Sequence, residues 1–224
     1  PLVALLMFGV GIPDASAAHR GTGGAGAPRQ SVITPALAVL TMFFLLLSLS
    51  NAGISNFGVV ALMGGYGATF SAANLALTAY LGASAAGVLA GGFLADQTDR
   101  HGEVAAVCFA VNAAILLVIA VSNLSQPLLI GLMGLAGFLS GVIAPSRDMM
   151  VRDAAPPGAA GRVFGIVSTG FNIGGIISPL LFGWIMDRNL PHWVFGGSVV
   201  FMVLTVILAL ATERRPERSK PAHA

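Results

Sequence analysis

The sequence predicts an all-α membrane protein of six transmembrane helices, and three observations carry that prediction. The 224 residues are 56% hydrophobic and only 9% charged, roughly a third of the charge of a soluble domain. The apolar residues gather into six runs of about 17 to 25, the length a helix needs to cross a hydrocarbon core of roughly 30 Å. The basic residues fall on alternate connections between those runs, the pattern that cytoplasmic anchoring produces. Closed strands would need period-two alternation, which these runs lack, and a lipid-exposed backbone can otherwise be satisfied only in helices.

Residues 1–13, PLVALLMFGVGIP, are apolar, too short to span and without the basic flank of a signal peptide; they read as the end of a truncated preceding helix. Residues 14–32 are small, polar and glycine-rich, the composition of a flexible cytoplasmic linker. The GTGGAG inside it, Gly21 to Gly26, spells a dinucleotide fingerprint, but no strand precedes it and no βαβ unit surrounds it. The six-helix region occupies 33–212. Its first span runs from Ile33 to about Val60 and is interrupted by Asn51 and Asn56. The second is Ser71 to Ala95, and the third, Val104 to Val121, contains the single cysteine, Cys108, and a structural Asn112. The fourth runs from Leu128 to about Met150 and the fifth from Val163 to Met186. Pro179 in the fifth removes a backbone hydrogen bond in mid-membrane, which should bend the helix and makes it a candidate gating element. The sixth is Trp193 to Ala211, and residues 213–224 form a basic cytoplasmic tail.

Parity sets the orientation. Arg20 and Arg29 precede span one, Arg100 follows span two, Arg147, Arg152 and Arg162 bracket the gap after span four, and Arg214, Arg215, Arg218 and Lys220 follow span six. Arg188 alone lies on the other side, so both ends of the region belong in the cytoplasm. The net charge of +2 is an anchoring pattern with no basic stripe for nucleic acid. His19, His101, His192 and His223 stand on different connections and the tail at no ligand spacing, so neither a metal site nor a cofactor is expected. The NLS at Asn123 matches a glycosylation sequon without a secretory context.

Helices in lipid approach closely where small residues allow it. Gly87 and Gly91, Gly137 and Gly141, Gly161 and Gly165, and Gly170 and Gly174 are each four apart. No Asp, Glu, Lys or Arg lies in the central part of a span, so any proton carrier is expected elsewhere. The spans instead hold amides, hydroxyls and aromatics: Asn51, Asn56, Phe57, Asn74, Tyr80, Phe138, Ser140, Ser168, Phe171 and Asn172. A lipid-facing amide is costly, so these should bond a neighbouring helix or line a substrate cavity.

One stretch breaks the pattern by concentrating charge: GGFLADQTDRHGEV, residues 91 to 104. Asp96 falls at a helix C-terminus, where the dipole is already negative, so it needs a partner such as Arg100 or the N-terminus of another helix. The letters resemble the loop motif of the major facilitator superfamily, roughly G-x-L-A-D-R-x-G-R-R. Gly92, Leu94, Ala95, Asp96 and Arg100 match, whereas Gln97, Asp99 and His101 depart as in the weaker second-half copy. Residues 145–187, with their GGIISP and FGWIMD, look like the tenth-to-eleventh helix region of bacterial members.

The resemblance implies one half of that fold, the second (C-terminal) half, nearest to the fosmidomycin-resistance-like exporters. It further implies a multi-pass protein of the bacterial inner membrane working by alternating access, with protons, a small-molecule substrate, the lipid bilayer and a missing N-terminal six-helix half as partners. Gly92, Asp96 and Arg100 become a conformational latch, spans one, two, four and five line the cavity, and spans three and six face lipid. In SRDMMVR, Asp148 and Arg152 are four apart with the acid first, a favourable pair, and Arg147 can snorkel; a gating or interface role suits all three.

The function so reached is secondary transport of a small organic solute by proton-coupled export. The alternatives are an importer, or a six-helix scaffold without transport. No GxSxG, HExxH or paired catalytic carboxylates support an enzyme.

Overall fold

The computed structural model describes residues 35–97, 101–153, 155 and 158–213, all within the compact unit Ile33–Ala224. Six helices follow in order: α1 (Pro35–Tyr66), α2 (Phe70–Asp96), α3 (His101–Val121), α4 (Gln126–Asp153), α5 (Ala160–Asp187) and α6 (His192–Glu213). Each contains a stretch long and apolar enough to cross a membrane. The first span reaches six residues beyond the expected Val60, because Ala61 to Tyr66 continue the apolar pattern until Gly67. Gly67 adopts φ +60, a conformation glycine reaches without penalty, and Thr69 then caps α2 by accepting the Ala72 amide at 3.3 Å.

The helices pair as α2 with α4, α1 with α5, α1 with α6, α3 with α6 and α3 with α4. Exchanging α1, α2 and α3 for α4, α5 and α6 maps this set of pairings onto itself, so the bundle is two triplets of like arrangement.

Glycine explains the two closest pairings. A Cβ on Gly91 would lie 2.5 Å from the Val142 carbonyl oxygen, and one on Gly87 would collide with the Phe138 carbonyl. Across the same contact, Gly137 lies against the backbone of Tyr80 and Gly141 against that of Ser84. At the equivalent α1–α5 contact a Cβ on Gly174 would sit 2.7 Å from the Leu45 carbonyl, and one on Gly170 would strike that of Thr41. Three of the four expected glycine pairs are therefore helix contacts. The fourth is not: nothing lies within 4 Å of a Cβ on Gly161 or Gly165, because that first turn of α5 precedes its crossing with α1.

Where α1, α3 and α5 end, aromatic contacts hold the bundle. Tyr66 packs edge-on against His192 at 4.5 Å and Phe195 at 5.8 Å, and its hydroxyl donates to the Ala120 carbonyl at 3.3 Å. Lower down, Ser50 donates to the Ser198 carbonyl at 3.0 Å, and a Cβ on Gly53 would meet Phe182 at 2.5 Å. These contacts of α1 with Ser198 of α6 and Phe182 of α5 are not marked in the sequence, where their small residues lack the four-residue spacing.

Because backbone atoms cannot yield as side-chain tips do, Gly137→Ala should cost at least about 2 kcal/mol, the scale of overpacking a tight core. Gly165→Ala, facing open space, should be neutral or stabilising by up to about 1 kcal/mol. Thermal unfolding of the two variants in detergent, compared with the parent, measures both.

Candidate functional site

Three of the expected polar residues, from three different helices, meet at one point. The Tyr80 hydroxyl lies 3.0 Å from Asn51 Oδ1 and 3.3 Å from Ser140 Oγ, and the Ser140 hydroxyl donates to Asn51 Oδ1 at 2.9 Å. Asn51 Nδ2 donates to its own helix at Leu47 O, 3.0 Å away. One carbonyl with two lone pairs can accept both hydroxyl protons, so the cluster is satisfied without any ionised group. Asn51 stands near the middle of its 30-residue span, about 20 Å from either end at 1.5 Å per residue.

The glycine contact explains why Tyr80 reaches this place. Gly137 lets the Tyr80 backbone lie directly on α4, which carries Ser140 one turn further along. Tyr80 is itself 3% exposed while Asn51 and Ser140 are half-buried, and the three form a polar junction between α1, α2 and α4. Of the two roles expected for these three residues, the hydrogen bonds between helices are the ones seen here.

The remaining expected cavity residues are not gathered with them. Asn74 bonds back to Phe70 O at 2.9 Å. Phe57 packs on Phe182 with ring centroids 6.2 Å apart. Asn56, Phe171 and Asn172 are exposed, and Ser168 and Phe138 are half-buried. Among the described residues the amides of Asn56 and Asn172 have no hydrogen-bond partner. Asn112, taken from sequence as structural, is fully buried with both side-chain polar atoms unpaired among the described residues.

The charged end of α4 differs from expectation. Arg147 Nε pairs with Asp148 Oδ1 at 2.9 Å, while Arg152 Nη1 lies 3.8 Å from Met149 Sδ, so the expected Asp148–Arg152 pair is not made. The cause is on α1: the Arg147 guanidinium sits over the Phe44 ring, 5.1 Å from its centroid. Held there and only 22% exposed, it attracts the adjacent carboxylate more strongly than a solvated Arg152 can. Pro145 and Pro179 both lie inside unbroken helices; each leaves the carbonyl four residues back without its amide. Of the expected latch, Gly92 has open space around it, whereas Arg100 and the Asp96 side chain lie outside the described residues. No group of three or more His, Cys, Asp or Glu side chains that could hold a metal occurs among the described residues.

Comparison with known proteins agrees with this architecture. Residues 28–224 match the Major Facilitator Superfamily. The chain is 37% identical over 84 residues to a multi-drug resistance efflux pump PmrA homolog of Lactococcus lactis subsp. lactis (strain IL1403), a match covering 38% of this chain and 19% of the pump. It is 30% identical over 86 residues to the multidrug efflux pump SdrM of Staphylococcus aureus (strain N315), again over 38% of this chain and 19% of the pump. Its fold resembles a crystal structure of the peptide transporter POT in complex with alafosfalin, with a TM-score of 0.70 and 23% identity over 79% of this chain and 38% of that one. A POT family transporter with a thioalcohol conjugated peptide gives a TM-score of 0.69 and 18% identity, over 80% and 38% of the two chains. At these identities the solved structures speak for the fold alone.

The hydrogen-bond arrangement ranks two substitutions. Tyr80→Phe leaves the Ser140–Asn51 bond in place and should cost about 0.6 kcal/mol, a typical value for a hydrogen bond between membrane helices. Asn51→Leu removes the shared acceptor of both hydroxyls and should cost about 1 to 3 kcal/mol. Unfolding in mixed detergent micelles measures the order, and a larger loss for Tyr80→Phe would contradict the shared-acceptor geometry.

Proposed function

The chain belongs to the major facilitator superfamily, and from that premise we propose that it is the second six-helix half of a secondary transporter exporting a small organic solute by alternating access. The observation that carries this reading is the neutral polar junction of Asn51, Tyr80 and Ser140 at mid-depth, flanked by helix pairs that touch through glycine backbones. Glycine contacts have little interdigitation to break, so such pairs can shear while the junction keeps α1, α2 and α4 in register. The exposed Asn56, Phe171 and Asn172 are then the solute-facing groups of this half, with Asn74, Phe57, Phe138 and Ser168 lining or backing the path. The similarity to two multidrug efflux pumps supports a drug-like solute and favours multidrug export over the narrower fosmidomycin-resistance-like assignment.

Coupling is assigned to protons that bind outside the described half, since the central parts of its spans hold no Asp, Glu, Lys or Arg. Asp96 and Arg100 act as the latch between cytoplasmic helix ends, and Arg147, Asp148, Arg152 and Pro179 serve gating at the end of α4 and within α5. The alternation of basic residues supports an inner-membrane protein with both ends of the six-helix region in the cytoplasm.

In bacteria lacking their main efflux pumps, expression of the full gene should lower accumulation of at least one small drug. A protonophore and Asp96→Asn, at matched expression, should each restore it. Raised accumulation would instead identify an importer, and an unchanged broad panel would favour the scaffold reading.

A further inference from the structure

The end of α5 builds a feature that the transport reading does not use. Asn189 has φ 55, the left-handed conformation that asparagine tolerates at a helix end. Its amide bonds to Met186 O at 3.0 Å, and the Leu190 amide bonds to Ile185 O at 3.3 Å. This pair of bonds is the Schellman stop, which brings the residue after the turn back onto the helix's last apolar position. Leu190 thereby lies over Ile185, Pro191 prevents continuation, and α6 starts at His192 with Trp193 beside the turn.

The result is an apolar groove of about 250 Å³ lined by Trp184, Ile185, Leu190 and Trp193. The two indoles are 52% and 56% exposed, and indole rings favour the boundary between acyl chains and headgroups. At the rim, the Arg188 guanidinium carbon sits over Trp184, 4.3 Å from the ring centroid. Stacking occupies its face and leaves its N–H edge free. Arg188 joins no ion pair among the described residues, although exposed Asp187 is its neighbour in sequence; the one other titratable group nearby, His192, is packed on Tyr66.

We propose that this groove binds an anionic phospholipid, with the phosphodiester on the Arg188 edge and an acyl chain between Trp184 and Trp193. Charge complementarity selects the occupant: an unpaired cation beside an apolar slot at the membrane boundary fits a headgroup phosphate joined to a chain, and the planar fork bonds phosphate oxygens in pairs. A zwitterionic lipid brings its own ammonium to the same rim and loses that advantage.

The test exploits the fact that these are the only two tryptophans of the chain. The 224-residue chain is reconstituted in phosphatidylcholine vesicles with increasing brominated phosphatidylglycerol, and tryptophan quenching is compared with that by brominated phosphatidylcholine. Quenching should show about a fivefold preference for the anionic lipid, the value of one basic residue at a membrane surface. Arg188→Gln should abolish the preference, and Arg188→Lys, which keeps the charge without the fork, should retain part of it. Equal quenching by both lipids in the parent, or an unchanged preference in Arg188→Gln, would overturn the proposal. So would displacement by inorganic phosphate, which would show a free-anion site, or quenching that falls as protein density rises, which would show a second chain seated in the groove.

Discussion

The contact on which this bundle depends is backbone against backbone, between α2 and α4. Four glycines, Gly87, Gly91, Gly137 and Gly141, bring the two helices so close that a single methyl at any of them would enter a main-chain atom of the other. In lipid the apolar surface of a helix gains little by leaving its surroundings, so association rests on close packing and on hydrogen bonds. Both are present here at the same place. The approach that Gly137 allows lays Tyr80 on α4, and Tyr80 and Ser140 then share Asn51 as acceptor. Remove the close approach and the hydroxyls no longer reach a common carbonyl.

The α1–α5 contact repeats this arrangement and changes its chemistry. Gly170 and Gly174 of α5 rest on Thr41 and Leu45 of α1, but no polar network accompanies them among the described residues. The α2–α4 contact is thus tied at mid-depth by neutral hydrogen bonds, and the α1–α5 contact is left to van der Waals packing and to the aromatic set of Phe57, Phe182 and Phe201. This asymmetry makes α5 the helix with fewer ties to the bundle, and α5 also carries Pro179, Phe171 and Asn172. The central parts of the spans hold no Asp, Glu, Lys or Arg, and charge gathers at the ends, where Arg147 pairs with Asp148 over Phe44 and where the Asp96 motif lies in sequence.

Much of this was legible in the sequence, for stated reasons. Span number and position followed from run length, since the membrane imposes a thickness that no other solvent does. The glycines at four-residue spacing pointed to helix contacts, yet the same spacing at Gly161 and Gly165 did not, because spacing defines a helix face and says nothing of what stands opposite. Asn51, Tyr80 and Ser140 could be named as polar residues needing partners, but not as partners of one another, since they lie in three helices separated by 29 and 60 residues. The Asp148–Arg152 pairing failed because Phe44, about a hundred residues earlier in the chain, holds Arg147 where it competes. Ser50 and Gly53 escaped notice because a three-residue offset carries no recognised signal, although a Cβ on Gly53 would lie 2.5 Å from Phe182 and 2.7 Å from Ser198.

The most direct test of the α2–α4 contact is a disulfide across it. A Cβ at Gly134 would lie 3.8 Å from that of Ala79, within the range a disulfide spans. With Cys108→Ala as background, Ala79→Cys and Gly134→Cys should cross-link under mild oxidation in native membranes, whereas Ala79→Cys with Gly131→Cys, which faces open space, should not. Cross-linking of the second pair but not the first would mean that α2 and α4 meet on other faces, and the polar junction built on that contact would fall with it.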